Sequence, residues 1–249
     1  MIAFITGATA GIGKATAELF AQNSYNLVIT GRRADRLTEL KTSLEKNGVQ
    51  VLALNFDVRN NLEVENAVNS LPENWKKIDV LVNNAGLAVG LNHVQDGVLD
   101  DWERMIDTNI KGLLYVTRAV SPLMIERGQG HIINIGSVAG KEVYENGNVY
   151  CATKHAVDAL GRAMRIDMLK HGIKVTNICP GAAETEFSLV RFKNDEQKAK
   201  QPYIGIEPLT GEDIARTILF VVSQPKHVCI NDLLIMPTAQ ANGTTFFRK

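Results

Sequence analysis

The sequence has no excess of charge of either sign. Its 27 lysine and arginine residues balance its 27 aspartate and glutamate residues, so the formal net charge is zero. Nucleic acids and anionic membrane surfaces are attracted by an extended basic field. We therefore expect neither as a partner, and any anion-binding site must be local.

Cysteine is scarce, and long apolar runs are missing. The three cysteines, Cys151, Cys179 and Cys229, are far apart and form no CxxC pair. This usage fits a reducing compartment, with the cytosol as the expectation. No apolar run approaches the roughly 18 residues of a membrane span, and we see no targeting pattern at the start of the chain. The five histidines lack metal-ligand spacing, so no metal is expected.

Short β-rich runs alternate with longer amphipathic runs along the chain. Strands are predicted at 2–6, 26–30, 49–55, 78–83, 131–135, 174–179 and 229–235, and helices at 14–22, 35–46, 62–71, 102–125, 149–171 and 212–222. In the second helix Leu37, Leu40 and Leu44 share one face. The alternation predicts an α/β fold with a doubly wound parallel sheet of about seven strands, which binds ligands at the carboxyl ends of its strands.

The 249 residues show no repeat or linker, which predicts one domain over 1–249. The segment 182–208 breaks the alternation and carries the charged run Arg191 to Glu196. Long insertions at the ligand edge of such a sheet are often lids. A lid over the ligand is the expectation here, with a solvated surface excursion as the alternative.

A glycine-rich stretch, Thr-Gly-Ala-Thr-Ala-Gly-Ile-Gly at 6–13, joins the first strand to the first helix. Backbone N–H groups and the helix dipole can receive a pyrophosphate there. The spacing differs from GxGxxG, and a tight turn without a ligand also uses glycines. Its place at the first βα junction favours nucleotide binding. The predicted contacts are Gly7, Thr9, Ala10, Gly11, Ile12 and Gly13.

The residues at the end of the second strand indicate which nucleotide is bound. NAD-binding sheets carry an acidic residue there, about 20 residues after the loop. This sequence has Gly31-Arg32-Arg33 instead. Two guanidinium groups suit bidentate pairing with a 2′-phosphate. NADP is therefore predicted over NAD, with a pair of solvated arginines as the alternative.

Two further strand ends complete the predicted nucleotide site. Asp57 and Val58 follow the third strand and are expected beside the adenine. Asn84, Ala85 and Gly86 follow the fourth strand and are expected under the cofactor ribose. Because Asn and Gly also favour ordinary turns, the order of these motifs carries the information.

Tyr150 and Lys154 share one face of a predicted helix, one turn apart. A nearby ammonium stabilises a phenolate, lowers the tyrosine pKa and makes it a usable acid or base. Alone, the pair would be an ordinary surface contact. Ser137 at the end of the fifth strand and Asn109 in the preceding long helix favour a catalytic set.

With Pro180-Gly181, these motifs resemble the short-chain dehydrogenase/reductase family along essentially the whole chain. The resemblance implies a Rossmann-type sheet of order 3-2-1-4-5-6-7 between two helix layers, and a homotetramer. It implies that Ser137 hydrogen-bonds the substrate oxygen and Tyr150 protonates it, while Lys154 holds the cofactor ribose and Asn109 retains a water. The implied catalytic tetrad is Asn109, Ser137, Tyr150 and Lys154. The implied contacts to the nicotinamide carboxamide are Pro180, Gly181, Ala182, Ala183 and Thr185.

Several segments resemble one branch of that family, the NADP-dependent 3-hydroxy acid dehydrogenases, also described as serine or L-allo-threonine dehydrogenases. They are 7–11 with 31–33, 83–88, 107–109, 131–137, 185–188, 190–193 and 236–237. This implies a small 3-hydroxy acid, a β-hydroxy amino acid or a malonic semialdehyde-type carbonyl as substrate. Sulfoacetaldehyde reductases are similar to the same branch, so sulfoacetaldehyde reduction is one alternative function. A catalytically silent nucleotide sensor is an alternative of a different class. We expect Arg191 to pair the substrate anion, with a surface arginine as the alternative.

Overall fold

A computed structural model describes all residues, 1 to 249. Seven strands form one parallel sheet in the order β3-β2-β1-β4-β5-β6-β7, which confirms the fold expected from the sequence. The strands are β1 (Ile2–Ile5), β2 (Asn26–Gly31), β3 (Val51–Asn55), β4 (Val80–Asn83), β5 (Gly130–Ile135), β6 (Ile173–Pro180) and β7 (Asp232–Ile235).

Nine α-helices connect the strands and cover both faces of the sheet. They are α1 (Gly11–Gln22), α2 (Ala34–Glu45), α3 (Asn61–Asn69), α4 (Leu99–Ile106), α5 (Leu113–Glu126), α6 (Asn148–Asp167), α7 (Glu186–Arg191), α8 (Glu196–Lys200) and α9 (Gly211–Val222). One apolar core lies between the sheet and α1, α2 and α9. A second lies between the opposite face and α3, α5 and α6.

The first strand shows how one sequence run serves both cores. Ala3 and Ile5 point into the first core, and Ile2 and Phe4 point into the second. Because successive side chains of a strand alternate between faces, a strand buried on both sides is a continuous apolar run. All four residues are buried, which explains why no polar residue interrupts β1.

The predicted helix 102–125 is not continuous. It consists of α4, a π-helical segment at Asp107–Gly112, and α5. Gly112 ends the π segment where a Cβ would lie 2.8 Å from Cγ2 of Val58, so only glycine fits without a shift. Apolar periodicity continues through a π turn almost unchanged, which is why the pattern predicted a single helix.

Other predicted elements are too long, among them helix 149–171 and strand 229–235. Helix α6 ends at Asp167, and a short 3₁₀ turn at Leu169–His171 follows it. Strand β7 begins at Asp232 rather than at Cys229, because its ladder with β6 starts at the pair Asn177 and Asp232.

The segment 182–208 is more regular than the sequence predicted. It contains α7 and α8, each started by a capping side chain: Thr185 Oγ1 accepts a hydrogen bond from the Phe187 N–H at 3.2 Å, and Asp195 Oδ1 accepts one from the Lys198 N–H at 3.0 Å. Both helices are too short to give an apolar repeat, so periodicity missed them.

No helix combines the length and the apolar character needed to cross a membrane. The three cysteines are free thiols; Cys151 and Cys179 are buried and Cys229 is half-buried.

Candidate active site

A cavity of about 630 Å³ lies at the carboxyl ends of the strands, where the doubly wound fold was expected to bind its ligand. Nearly all of the sequence-predicted residues line it: Gly7, Thr9, Ala10, Gly11, Ile12, Arg32, Arg33, Asp57, Val58, Asn84, Ala85, Gly86, Ser137, Tyr150, Lys154, Pro180, Gly181, Ala182, Ala183, Thr185 and Arg191. Gly13 and Asn109 do not line the cavity and lie behind its wall.

The glycine-rich loop needs its glycines for two different reasons. Gly7 and Gly11 adopt φ angles of +65° and +52°, in the left-handed region that favours glycine. At Gly13 the limit is space, because a Cβ would lie 2.4 Å from Nδ2 of Asn84 and 2.5 Å from the Gly7 carbonyl oxygen. Gly13 thus allows the start of α1 to pack against the loop.

Asn84 holds this loop in place. Its Nδ2 donates to the carbonyl oxygens of Thr6 at 2.8 Å and Gly7 at 3.1 Å. In return, Oγ1 of Thr6 accepts from the backbone N–H groups of Asn84 and Ala85, both at 3.0 Å. The side-chain N–H group of Asn84 is therefore used within the protein, and its observed role is to join the ends of β1 and β4. Thr6 was not predicted as a site residue.

The two predicted phosphate-binding arginines differ in their surroundings. Arg33 donates from Nε and Nη2 to Oγ1 of Thr9 at 3.2 and 2.9 Å, and its Nη1 lies 2.9 Å from Oε2 of Glu186. Arg32 is more exposed, and its nearest carboxylate is that of Asp57, at 3.8 Å. Arg33 is therefore held in place by the glycine-rich loop and α7, rather than extending freely into solvent.

Asp57 forms an ion pair with Arg59, two residues further along the same loop. Its carboxylate accepts hydrogen bonds from the guanidinium group of Arg59, with the shortest at 2.7 Å. Burial alone would raise the pKa of Asp57, but the hydrogen bonds and charge of Arg59 outweigh burial and lower it. Asp57 therefore carries a negative charge at neutral pH.

The four residues of the expected tetrad lie close together and are almost completely buried. Tyr150 and Lys154 lie on the first turns of α6, and the Lys154 Nζ is 5.9 Å from the centre of the Tyr150 ring. Lys154 also donates to the Ile135 carbonyl oxygen at 2.8 Å. The Ser137 Oγ accepts from the Ala139 N–H at 3.1 Å, which leaves its own proton free for another acceptor.

Burial controls the titration of the Tyr150 and Lys154 pair. Desolvation raises the pKa of Tyr150, and the neighbouring Tyr144 adds to the rise, while a hydrogen bond from Ser137 and the charge of Arg191 oppose it. Burial lowers the pKa of Lys154 to about 8. Desolvation of the phenolate therefore outweighs the groups that lower the pKa of Tyr150, and the expected effect of the Lys154 ammonium stays a prediction.

Asn109 lies in the π-helical segment, behind the cavity wall, and holds Leu87 and Thr153 in place. Its Oδ1 accepts from the Leu87 N–H at 2.9 Å, and its Nδ2 donates to the Leu87 carbonyl oxygen at 2.8 Å and the Thr153 Oγ1 at 3.0 Å. A Cβ at Gly86 would lie 3.3 Å from Oδ1 of Asn109 and 3.6 Å from Nζ of Lys154. The glycine at this position leaves space above both groups.

Helix α7 places Arg191 against Tyr150. Its Nη2 donates to the Tyr144 hydroxyl at 2.6 Å, and its guanidinium carbon lies 5.3 Å from the centre of the Tyr150 ring. Its Nε is buried and has no hydrogen-bond partner. The ring of Phe187, on the same helix, lies 5.7 Å from that of Tyr150. Arg191 therefore points into the site and is not a solvated surface residue.

Some residues in this site had no usable sequence signal. Tyr144 lies in a loop outside every motif, and only the fold brings its hydroxyl to Arg191. Gln240, near the end of the chain, accepts a hydrogen bond from the Ala182 N–H through Oε1 at 2.8 Å and so supports the turn after β6. The sequence offered no periodicity or spacing that links either residue to the cavity.

The chemistry of the lining fits a phosphorylated dinucleotide. Left-handed glycines leave backbone N–H groups accessible at the start of α1, and Arg32 and Arg33 lie at the end of β2. Lys154 uses one of its protons on Ile135, so others face the cavity for hydroxyl groups.

One group of possible metal ligands lies outside this cavity. Asp158, Cys179 and Asp232 bring their ligand atoms within 4.8 Å of one another. The Lys141 Nζ lies 2.6 Å from both carboxylates and supplies their counter-charge. A cation there would compete with Lys141, and the expectation of no metal stays a prediction.

Comparison with known proteins agrees with this geometry. Residues 1–196 match the sequence profile of the family described as short chain dehydrogenase. The chain is 49% identical over 242 residues to the NADP-dependent 3-hydroxy acid dehydrogenase YdfG of Salmonella typhi, covering 97% of this chain and 96% of that protein. It is 45% identical over 241 residues to sulfoacetaldehyde reductase 2 of Chromohalobacter salexigens, covering 96% and 95%.

Solved structures give the same result. The closed form of a serine dehydrogenase complexed with NADP⁺ superimposes with a TM-score of 0.94 at 46% identity, and the match covers 100% of both chains. The serine dehydrogenase of Escherichia coli superimposes with a TM-score of 0.84 at 43% identity, covering 97% of this chain and 100% of that one.

Proposed function

We propose, because this chain belongs to the short-chain dehydrogenase family, that it transfers a hydride between NADP(H) and a small hydroxy acid or the corresponding carbonyl compound. The observation that supports the proposal most directly is the convergence of Ser137, Tyr150, Lys154 and Arg191 on one cavity. NADP(H), when bound, supplies or accepts the hydride. Proton transfer and substrate binding are assigned to side chains of the protein.

The proton chemistry is assigned to Tyr150. In the reductive direction its phenol gives a proton to the substrate oxygen, and in the oxidative direction the phenolate takes that proton back. The Ser137 hydroxyl donates a hydrogen bond to the same oxygen, because its Oγ accepts from the Ala139 N–H and its proton remains free. Lys154, with a pKa of about 8, can exchange a proton near neutral pH and so restore the protonation state of Tyr150.

Arg191 is the residue we assign to the substrate anion. Its buried Nε lacks a partner, and its guanidinium lies beside Tyr150, so a carboxylate bound there places a small substrate next to the proton donor. Because α7 lies over Tyr150 through both Phe187 and Arg191, we propose that the 182–208 segment acts as a lid on this site.

A sulfonate would fit the same guanidinium, which keeps sulfoacetaldehyde reduction as a second candidate function. The observation that favours it is the 45% identity to sulfoacetaldehyde reductase 2, and the unpartnered Nε of Arg191 suits a sulfonate as well as a carboxylate. A nucleotide sensor without catalysis is the alternative from another class.

A substrate panel followed by NADPH absorbance tests the function. We expect turnover with NADP⁺ or NADPH and at least one of serine, L-allo-threonine, 3-hydroxypropionate, 3-hydroxyisobutyrate, malonic semialdehyde or sulfoacetaldehyde, and little turnover with 3-oxoacyl thioesters or with NAD(H). Nucleotide binding without turnover of any substrate would support the sensor instead. An absence of preference for NADP over NAD would overturn the assignment of Arg32 and Arg33.

Replacement of the proton donor gives a direct test of the mechanism. Tyr150→Phe keeps the ring in its buried position and removes only the hydroxyl, so we expect kcat to fall by about 10²- to 10⁴-fold while NADPH affinity is retained. Steady-state rates and NADPH fluorescence titration measure the two effects. Tyr115→Phe, outside the cavity, is the matched control, and a wild-type rate in Tyr150→Phe would reject the assignment.

Replacement of Arg191 separates anion binding from general catalysis. Arg191→Ala is expected to raise KM for a carboxylate or sulfonate substrate by about 10-fold or more, because a charge-assisted hydrogen bond is lost. KM for a neutral aldehyde of similar size should change much less. Lys198→Ala removes an exposed cation from the same segment and is the control. An unchanged KM for the anionic substrate would show that Arg191 does not bind it.

The assembly state is proposed from the family and from exposed apolar residues. Leu99 on α4 is 70% exposed and Ile166 on α6 is 76% exposed. Leu114 on α5 and Leu169, in the turn after α6, are also exposed. Such side chains mark helix faces that a second copy can cover. We propose a homotetramer built on α5 and α6, and sedimentation velocity at micromolar concentration should show it. A persistent monomer would contradict this.

A further inference from the structure

Glu186, the first residue of α7, lies between two arginines. Arg33 directly precedes α2, and Arg36 lies in the first turn of α2. The Glu186 Oε2 is 2.9 Å from Nη1 of Arg33, and its Oε1 is 2.7 Å from Nη1 of Arg36. Burial alone would raise the pKa of Glu186, but hydrogen bonds from the two guanidinium groups outweigh this and lower it. The carboxylate is therefore charged, and it faces the residue to which the sequence assigned the 2′-phosphate.

The donors of Arg33 are largely used. Nε and Nη2 are directed at Oγ1 of Thr9, and Nη1 is directed at Glu186. A guanidinium group offers five N–H donors in a rigid plane, and these three bonds leave one donor on Nη1 and one on Nη2. A phosphate bound to Nη1 or Nη2 therefore approaches the nitrogen that holds the Glu186 carboxylate, or must replace one of the present bonds. The phosphate and the carboxylate also repel each other, because both carry negative charge.

We propose that Glu186 competes with the 2′-phosphate of NADP(H) for Arg33 and thereby sets how strongly this enzyme prefers NADP over NAD. The proposal rests on the proposed use of NADP(H). NAD lacks the 2′-phosphate and leaves the Glu186–Arg33 pair intact. NADP must weaken that pair, and by thermodynamic reciprocity the pair weakens the binding of NADP by the same factor.

The same competition connects the nucleotide end of the cavity to the substrate end. Helix α7 carries Glu186 at its start and Arg191 at its end, and Arg191 lies beside Tyr150. A phosphate on Arg33 thus releases one of the two arginine contacts that hold the start of α7, and Arg36 retains the other. The 2′-phosphate therefore alters the restraint on the helix that carries the residue assigned to the substrate anion.

A second ion pair provides the control. Lys193, just after α7, lies 2.8 Å from Oδ2 of the buried Asp101. This pair restrains the other end of α7 and has no contact with Arg33. Breaking it loosens the segment without freeing the phosphate-binding guanidinium, which separates lid mobility from competition for Arg33.

The test compares the affinities of the wild-type protein, Glu186→Gln and Lys193→Gln for NADP⁺ and NAD⁺, measured by isothermal titration calorimetry without substrate. Glutamine keeps the size of the side chain and removes its charge. For Glu186→Gln we expect Kd for NADP⁺ to fall by about 2- to 5-fold, as for a partly exposed ion pair, with Kd for NAD⁺ unchanged. Lys193→Gln should leave the ratio of the two constants unchanged.

A double variant tests whether the effect passes through Arg33. In an Arg33→Gln background, Glu186→Gln should no longer change the ratio of the two dissociation constants. Far-ultraviolet circular dichroism and thermal unfolding check that each variant is folded, and the charge-removing Glu184→Gln, two residues away, controls for a general electrostatic effect.

Four results would overturn the proposal. Glu186→Gln could leave the ratio unchanged, or it could weaken NADP⁺ binding, which would mean that Glu186 orients Arg33 for the phosphate. Lys193→Gln could also shift the ratio as much as Glu186→Gln, which would assign the effect to the mobility of the segment. If the wild-type protein itself binds NADP⁺ no more tightly than NAD⁺, the proposed use of NADP fails first, and the role of Glu186 fails with it.

Discussion

Burial of both faces of a parallel sheet is the constraint on which the rest of this structure depends. Helices α1, α2 and α9 cover one face and α3, α5 and α6 the other, so the middle of the sheet offers little surface for chemistry. Parallel strands all end at one edge, and the helices that follow several of them begin there. Polar and glycine residues are therefore concentrated at that edge, and the bonds between Thr6 and Asn84 keep two neighbouring strand ends in fixed positions.

The same burial shapes the chemistry of the site. Tyr150 and Lys154 are almost completely enclosed, and desolvation raises the pKa of the first and lowers that of the second. Both shifts favour the neutral forms. The positive charge of Arg191 opposes the shift of Tyr150, and it comes from α7 rather than from the sheet. In the proposed reaction, the position of the 182–208 segment thus affects both the substrate anion and the acidity of the proton donor.

At the nucleotide end of the cavity, charges are also balanced by contacts between distant segments. The overall charge of the chain is zero, yet three arginines, Arg32, Arg33 and Arg36, lie together at the start of α2. Glu186, from a distant segment, pairs with Arg33 and Arg36, and Asp57 is the carboxylate nearest to Arg32. In the proposed competition, the same arginines pair with Glu186 of the 182–208 segment or bind the 2′-phosphate of the nucleotide.

Prediction from the sequence was most successful where the signal was local. The apolar face of α2 at Leu37, Leu40 and Leu44 is buried as predicted, and the strand order agrees with the resemblance. Prediction failed at the π-helical segment, because apolar periodicity is almost the same across it, and at α7 and α8, because five or six residues contain no repeat. The assigned roles of the tetrad stay predictions, although the fold brings its members together.

The sequence was sufficient for the family, the strand–helix alternation and the motifs at the strand ends, because each is written in residues that lie close together in the chain. It could not indicate that Arg33 pairs with Glu186, 153 positions away, or that Tyr144 meets Arg191. Nor could it indicate that burial would raise the pKa of Tyr150 against the charges around it. Those contacts and that desolvation arise only when the sheet, α6 and α7 enclose one volume, since no local spacing encodes which distant side chains will share it.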